Sequence, residues 1–540
     1  MGNVNTAKIA PCQEACPAGV DVPRYVRHIQ QGRIREALAV VRERIPFPLV
    51  CGYACFHPCE AKCGRNQFDA PVAIRMLKRV AAERGLKDQV APKPLAATGR
   101  KVAVIGSGPC GMTAAYYLSL QGHDATVFEA LSRSGGMLRF GIPEYRLPDE
   151  IVDADIRAIE QCGVKILTGT RVESAEALLD QGFDAVFIAS GAWRSARMGI
   201  PGEDAPGVVD GLRFLTRVNA GTATKPGDRV VVVGGGNTAI DAARVSRRLG
   251  AEVVQLYRRT RAEMPASDEE IAAAIEEGVA IEYLCSPLRI DDGQVTCMRM
   301  ALGAPDASGR PRPVPVAGSE FTISANAVIM AIGQEVEIPA ASVAKARSGA
   351  VSVDAETLAT SVNGIFAGGD ATAGPASIIS AIGQGRRAAS AIDRFVGGDG
   401  VIDRSESEEI PAQAPDTSPR GTARSKYQTI SLKSRLAGFG LVEKAYDLRT
   451  AKREAGRCLS CDLRAFEVEV NPVVCKDCGY CREVCGLEVF GRSEEFNASG
   501  YLPATVEKAE RCIGCLRCLY VCPDFAIAIN ERAAGPSAAV

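Results

Sequence analysis

Three textures of apolar and polar positions succeed one another along the chain. Residues 18–85 carry apolar side chains at helical spacing. Ile34, Leu38 and Val41 recur three and four apart, and Asp21 stands as a cap before Val22-Pro23-Arg24-Tyr25-Val26. A second helix is expected from Asp69, with Pro71 just inside its start and Val72, Ile74, Leu77 and Val80 on its apolar side. Residues 86–100 read as a linker. From 101 to about 397, short apolar strands alternate with Gly-rich turns and Ala-rich helices, the pattern of a parallel α/β sheet. Residues 399–425 are polar and rich in Pro, Ser and Glu, which predicts an exposed tether. The last stretch, 456–530, is dense in cysteine.

Composition narrows the class. A chain of 540 residues has room for three or four domains, and a net charge of −1 gives no sign of nucleic-acid or membrane-surface binding. No apolar run reaches the length of a membrane span, and the first residues lack a signal-peptide core. Gly2 and Thr6 fit the loose myristoylation pattern, a chance match with Cys12 and Cys16 so close behind. A cytoplasmic protein is expected. The number that changes the picture is 20 cysteines, six in residues 12–63 and ten in 458–522. They recur as CxxC and CxxxC in a large chain without an export signal, which favours metal ligation over disulfides.

The C-terminal run is Cys475-x2-Cys478-x2-Cys481-x3-Cys485, then Cys512-x2-Cys515-x2-Cys518-x3-Cys522-Pro523. This doubled order is that of a two-cluster bacterial ferredoxin, in which the fourth Cys of each run ligates the other cluster. Cys475, Cys478, Cys481 and Cys522 are therefore assigned to one [4Fe–4S] cluster, and Cys512, Cys515, Cys518 and Cys485 to its neighbour. Zinc is the alternative, but eight Cys in this order over-supply a zinc site. At the other end stand Cys12-x3-Cys16 and Cys51-x3-Cys55-x3-Cys59-x3-Cys63, too many thiolates for one cubane and too few for two. The unpartnered Cys458-x2-Cys461 completes eight ligands if it folds back onto the N-terminal helices.

The middle of the chain carries two nucleotide fingerprints. A strand from Lys101 runs into Gly106, Gly108, Pro109 and Gly111, and Glu129 ends the next strand at the spacing of an acid that grips ribose hydroxyls. The second is Gly234, Gly236, Asn237, Thr238 and Ala239 after a strand from Arg229. Its following strand ends in Arg258, Arg259 and Arg261 where an NAD site would place an acid. Arginines there suit a 2′-phosphate, so NADP(H) is favoured over NAD.

Downstream, Gly368-Gly369-Asp370 resembles the second flavin motif of reductases with two dinucleotide domains, and Gly383 lies in the IGQG start of a helix that would pass near the isoalloxazine. Over roughly 1–398 plus the Cys458/Cys461 pair, the chain resembles the family of glutamate synthase small (β) subunits. The large subunit of NADH-dependent ferredoxin:NADP oxidoreductase and the N-terminal half of dihydropyrimidine dehydrogenase belong to the same group. In those relatives the RCLxC-type pair opens the chain; here it is moved to 457–461. The resemblance implies FAD, with Gly136 and Met137 in a loop near the flavin. It implies one cluster on Cys12, Cys63, Cys458 and Cys461 and another on Cys16, Cys55 and Cys59. Relatives place a Gln or Glu on the following helix as the fourth ligand of the latter; residues 72–78 offer neither, which leaves Cys51.

The expected fold is multidomain α/β. A helical iron–sulfur domain (1–96) is followed by the FAD domain in two parts (97–199 and 334–398), with the NAD(P)H domain (200–333) inserted between them. A linker and return segment (399–455) then leads to the CxxC pair and a ferredoxin-like two-cluster domain (456–540). No side chain is assigned a catalytic role. His28, His57 and His123 form no triad, and Cys110 reads as a small buried residue. The cofactors themselves carry hydride and electron transfer. Expected is an electron-transfer subunit linking NADP(H), FAD and four [4Fe–4S] clusters to a partner oxidoreductase, of 2-oxoacid:ferredoxin or glutamate synthase type, in a hetero-oligomer. The alternatives are a free-standing NADPH:ferredoxin oxidoreductase, an electron-bifurcating subunit, and a redox sensor or cluster carrier.

Overall fold

The computed structural model describes residues 9–86, 92–222, 224–291, 293–306, 309–403, 422–464 and 466–531. Most of the expected tether, 404–421, lies outside them.

Near the N-terminus, helices Val22–Gln31, Ile34–Arg42, Pro48–Ala54 and Ile74–Gly85 pack together. Asp21 caps the first, its carboxylate accepting the Arg24 N–H at 3.1 Å. The helix expected from Asp69 begins later, at Ile74. Its early amides are taken by carboxylates from elsewhere: Ala73 N–H donates to Glu454 and Arg75 N–H to Glu60, both at 2.9 Å. Asp69 instead faces the guanidinium groups of Arg65 and Arg457.

The first α/β unit is a five-stranded parallel sheet in the order Ile365–Ala367, Ala185–Ile188, Lys101–Ile105, Asp124–Phe128, Lys165–Leu167. Central strands such as Ala185–Ile188 are buried throughout, as a sheet covered on both faces requires. Helices Pro109–Leu120 and Ile378–Phe395 cross on it where Gly385 meets the Cys110 carbonyl; an added Cβ would lie 2.3 Å from that oxygen. The second parallel sheet runs Val208–Asp210, Ala327–Met330, Arg229–Val233, Glu252–Tyr257, Ala280–Tyr283. All its strands fall between those that build the first sheet, so one dinucleotide domain is inserted in the other. From it projects an antiparallel arm of Cys285–Asp291, Gln294–Pro305 and Pro311–Ser324.

At the C-terminal end two small hairpins, Phe466–Val470 with Ile527–Glu531 and Phe490–Arg492 with Ala504–Val506, frame helices Tyr480–Val484 and Arg517–Val521. Residues 422–464 return to the N-terminal helices rather than hang free. Arg424 pairs with Glu60 and donates to the Pro71 carbonyl at 3.0 Å, and Arg75 pairs with Glu443. Helix Leu448–Ala455 lies against Val22–Gln31. At the near end of the expected tether, Asp403 accepts from Arg386 and Arg44. Polar composition there marks ion-pair partners. One apolar core runs from Val26 and Leu77 through Val104 and Phe187 to Tyr446 and Leu459. Among the described residues no helix is long and apolar enough to cross a membrane.

Candidate cofactor sites

Both glycine fingerprints open onto one cavity of about 1260 Å³. The glycines divide the work in the same way in each. Gly106 and Gly234 have φ of +105° and +137°, and an added Cβ would lie 2.4 Å from the Ala189 oxygen and 2.2 Å from the Ala331 oxygen. These turns admit only glycine. Gly108 would meet nothing within 4 Å and Gly236 nothing nearer than 4.0 Å; both line the cavity, leaving space for a pyrophosphate. Gly111 and Ala239 lie outside the lining and set how closely helix packs on strand; a Cβ on Gly111 would lie 2.1 Å from the Gly106 oxygen. Helices Pro109–Leu120 and Asn237–Arg248 point their N-termini into the same space, with Asn237 and Thr238 on its wall.

Glu129 is buried at the wall, its carboxylate accepting the Ser107 amide at 3.0 Å and the Leu131 amide at 2.8 Å. Gly136, Met137, Gly369 and Asp370 line the same end. Burial holds the Asp370 carboxyl above the usual range, and Gln384 pins the turn by accepting the Gly369 amide at 2.7 Å. Gly383 is not in the lining. Its Cα abuts the Pro17 carbonyl, 2.4 Å from where a Cβ would stand, so this glycine lets the N-terminal domain approach the flavin-side helix.

The arginines divide. Arg258 is exposed on the cavity wall, with no hydrogen bond or ion pair among the described residues. Arg259 also lines the cavity, but its buried guanidinium donates to Pro311 O and Asp306, both at 2.7 Å, and clamps the antiparallel arm. Arg261 is outside the lining. Sequence reasoning missed Arg146, which bonds Asp241 at 2.7 Å across the two dinucleotide domains, and Trp193 on the wall. It also missed Ala54 and Phe56, which bring the Cys55 loop to the cavity.

The N-terminal thiols fall into two sets. Burial, then the charges of Cys63, Cys458 and Cys461, push the Cys12 thiol well up. Burial, with Cys63 and Asp462, pushes Cys458 up to about 12. Arg457 fixes this pair, donating to Glu454, Asp69 and the carbonyls of Thr422, Pro71 and Ala70, while Arg27 holds Asp462 at 2.8 Å. In the second set, the charges of Cys55, Cys51, Cys59 and Cys16 all bear on the buried Lys78 ammonium, which burial alone would push down and they push up. Cys55 and Cys16 bear on the buried Cys51, and Lys78 stands on the helix where relatives are expected to place an amide or carboxylate ligand. His57, at φ +42°, reaches Glu269 of the second dinucleotide domain at 3.6 Å.

Among the described residues, no three His, Cys, Asp or Glu side chains converge on a single-ion site. The C-terminal thiols instead ring two spaces, one lined by Cys475, Cys478, Cys481 and Cys522 and the other by Cys485, Cys512, Cys515 and Cys518. Burial pushes the Cys481 and Cys518 thiols up, so they become thiolates only against cations among them, which suits an iron–sulfur cluster held by four thiolates. The second space also touches Gln67 of the N-terminal domain. Gly64 sits between Cys461 and Ile513; an added Cβ would be 3.2 Å from the Cys461 sulfur and 3.1 Å from Ile513. An ion pair between Arg511 and Glu14, 3.0 Å, closes the same seam. Cys478 is exposed.

Comparison with known proteins follows the same division. Residues 100–385, just over half the chain, match the pyridine nucleotide-disulphide oxidoreductase family. Residues 5–90 match dihydropyrimidine dehydrogenase domain II with its 4Fe–4S cluster, and 474–526 match the 4Fe–4S dicluster domain. The chain is 40% identical over 499 residues to the β subunit of NADP(+)-dependent formate dehydrogenase from Moorella thermoacetica, covering 84% of this chain and 70% of that one. It is 43% identical over 427 residues to the β subunit of NADPH-Fe(3+) oxidoreductase from Geobacter sulfurreducens, covering 72% and 64%. With the small chain of NADPH glutamate synthase from Escherichia coli it shares 35% over 416 residues, 71% of this chain and 87% of that one.

Proposed function

Because the chain belongs to the pyridine nucleotide-disulphide oxidoreductase family, in the group that includes the glutamate synthase small chain, we propose that it carries electrons between NADP(H), one FAD and four [4Fe–4S] clusters, docked to a partner oxidoreductase subunit. The observation that carries this reading is contiguity. Phe56 of the Cys55 loop stands in the wall of the nucleotide cavity, Cys59 bears on Cys12, and Gly64 and Ile513 join Cys461 to the ferredoxin-like domain. These links support an ordered path of cofactors, and Cys478 is exposed at its outer end.

When bound, FAD accepts two electrons from the nicotinamide and releases them singly to the clusters. The chain's residues provide the rest. Gly108 and the start of helix Pro109–Leu120 hold the flavin pyrophosphate, Glu129 its ribose, and Asp370 with Gly369 its ribityl–phosphate side. Gly236, Asn237 and Thr238 take the second pyrophosphate, and Arg258 reads the 2′-phosphate. Arg146 and Asp241 hold the two dinucleotide domains at one spacing on either side of the shared cavity. Cys16, Cys51, Cys55 and Cys59 hold the cluster next to the flavin, and Cys12, Cys63, Cys458 and Cys461 the second. Cys512, Cys515, Cys518 and Cys485 hold the third; Cys475, Cys478, Cys481 and Cys522 hold the outermost. Thiolate ligands in this number suit a reducing compartment, the cytoplasm. As two relatives are β subunits and a third is a small chain, the partner is an oxidoreductase subunit that carries the substrate chemistry.

The test is an anaerobic titration with NADPH and then NADH, following flavin bleaching together with the low-temperature electron paramagnetic resonance (EPR) of reduced clusters. NADPH bleaching followed by cluster signals supports the reading. Flavin reduction without any cluster signal, in protein of full iron content, overturns it. Isolation of the chain from its native host separates an assembled subunit, which brings a partner with it, from a free-standing reductase.

A further inference from the structure

Helix Ile74–Gly85 approaches helix Pro48–Ala54 so closely at Gly52 that an added Cβ would lie 2.7 Å from the Arg79 Cα. Glu60, the residue after Cys59, fixes the same helix by accepting the Arg75 amide. These contacts fix the helix that carries Lys78 against the one that carries Cys51, and the buried Lys78 ammonium lies within electrostatic reach of Cys16, Cys51, Cys55 and Cys59. The neighbouring cations point elsewhere. Arg75 is paired with Glu443, and Arg79 is paired with Glu83 while lying over the Tyr53 ring at 3.8 Å. Lys78 is 5% exposed, and among the described residues no carboxylate lies at ion-pair distance from it. A buried ammonium without a counter-ion is strongly unfavourable, so the fold tolerates this one only opposite a resident anion. A cubane with four thiolates is such an anion, and each electron it accepts adds one more negative charge.

We propose that Lys78 is a positioning residue for electrons: its fixed charge raises the reduction potential of the cluster held by Cys16, Cys51, Cys55 and Cys59, making that cluster the first acceptor beside the flavin. The inference rests on the four-cluster reading above. Two other charges face the set. Asp155, on helix Asp149–Glu160, bears on Cys51, and Glu60 bears on Cys59 but is already paired with Arg424. Lys78 bears on all four sulfurs. Local charge is one of the levers that set cluster potentials.

The experiment is an EPR-monitored redox titration of the whole protein and of Lys78→Met, Lys78→Gln and Lys78→Arg, with iron per flavin measured on each. Wild-type protein without two N-terminal cluster signals refutes the four-cluster reading before any variant is compared. With both signals present, Lys78→Met is expected to make one cluster at least tenfold harder to reduce, about 59 mV for one electron. The other clusters should be unmoved, and Lys78→Arg should keep the wild-type value. An unchanged potential at full iron content overturns the proposal, as does an equal shift of every cluster. If Lys78→Met loses iron, Lys78→Gln is judged by the same criterion. Iron loss in both neutral variants also overturns it, since Lys78 then holds the cluster rather than tuning it.

Discussion

Replacing Arg258 by Gln tests the nucleotide reading where the structure makes it sharpest. Arg258 and Arg259 are adjacent and both line the cavity, yet only Arg258 leaves its guanidinium uncommitted among the described residues. A hydrogen bond to a charged group contributes about 1.5–3 kcal/mol. At tenfold per 1.4 kcal/mol, its removal should lower kcat/KM for NADPH by about 10- to 150-fold. NADH has no 2′-phosphate for the guanidinium to contact, so its kcat/KM should stay within about twofold of wild type. Arg259→Gln should behave differently. It releases Asp306 and the Pro311 carbonyl, loosens the antiparallel arm, and lowers thermal stability and activity with both nucleotides alike. The assay is steady-state reduction of an artificial one-electron acceptor with each nucleotide, at two ionic strengths, because an exposed arginine–phosphate contact weakens with salt. An equal loss with NADPH and NADH in Arg258→Gln, or no loss with either, refutes the assignment. A phosphate-specific loss in Arg259→Gln alone would transfer it to Arg259.

Three further outcomes are expected. Gly383→Ala drives a Cβ to 2.4 Å from the Pro17 oxygen, an overpacking cost of about 1–3 kcal/mol. Flavin bleaching by NADPH should persist in this variant while cluster reduction, followed by freeze-quench EPR, slows. Arg457→Met leaves the fully buried Glu454 without its cation, at a cost of about 3–5 kcal/mol, and should reduce iron content and lower the unfolding midpoint. Asp155 titrates at about 7 because it is buried, with Oδ1 unpartnered. The folded state thus holds a proton that the unfolded state has already lost above about pH 4. Stability from this group is full below about pH 4 and falls as pH rises to about 7, by ~4 kcal/mol at most. Asp155→Asn should flatten that decline in thermal melts across the window; an equally steep decline in the variant would show that Asp155 is not its source.

The parts legible in the chain are those whose partners are close in sequence. The ferredoxin-like runs place their thiols around two spaces because each tight loop delivers three sulfurs by spacing alone, and only the fourth crosses over. The two glycine turns were legible for the same reason: strand, turn and helix are consecutive. What escaped has distant partners. The helix expected at Asp69 starts at Ile74 because Glu454, 381 residues away, takes the Ala73 amide. At the described ends of the polar stretch 399–425, Asp403 meets Arg386 and Arg44, and Arg424 meets Glu60, pairings that only the fold brings together. Arg259 looked equivalent to Arg258 until the arm brought Asp306, 47 residues on, against it. Lys78 reads in the sequence as one more surface cation of an amphipathic helix, and only the packing of that helix against Pro48–Ala54 buries it.

The displaced Cys458/Cys461 pair shows why chain order matters less than what the chain does on either side of a ligand. Before it, Glu454 and Arg457 are buried among Asp69, Ala70, Pro71 and Ala73, so the return segment is locked to the turn that precedes the Lys78 helix. After it, Asp462 is held by Arg27, and the first hairpin strand begins at Phe466. The five Cα-to-Cα steps from Cys461 to that strand reach about 17–18 Å at most. The ferredoxin-like unit therefore has little freedom to sit elsewhere, and Ile513 is brought against Gly64 beside the Cys461 sulfur. A pair at the start of the chain would supply the same two thiolates but would leave the ferredoxin-like domain on the far end of a long segment. Placed here, the pair at once adds two thiols to those of Cys12 and Cys63 and forms the short splice that holds the ferredoxin-like unit against the N-terminal helices.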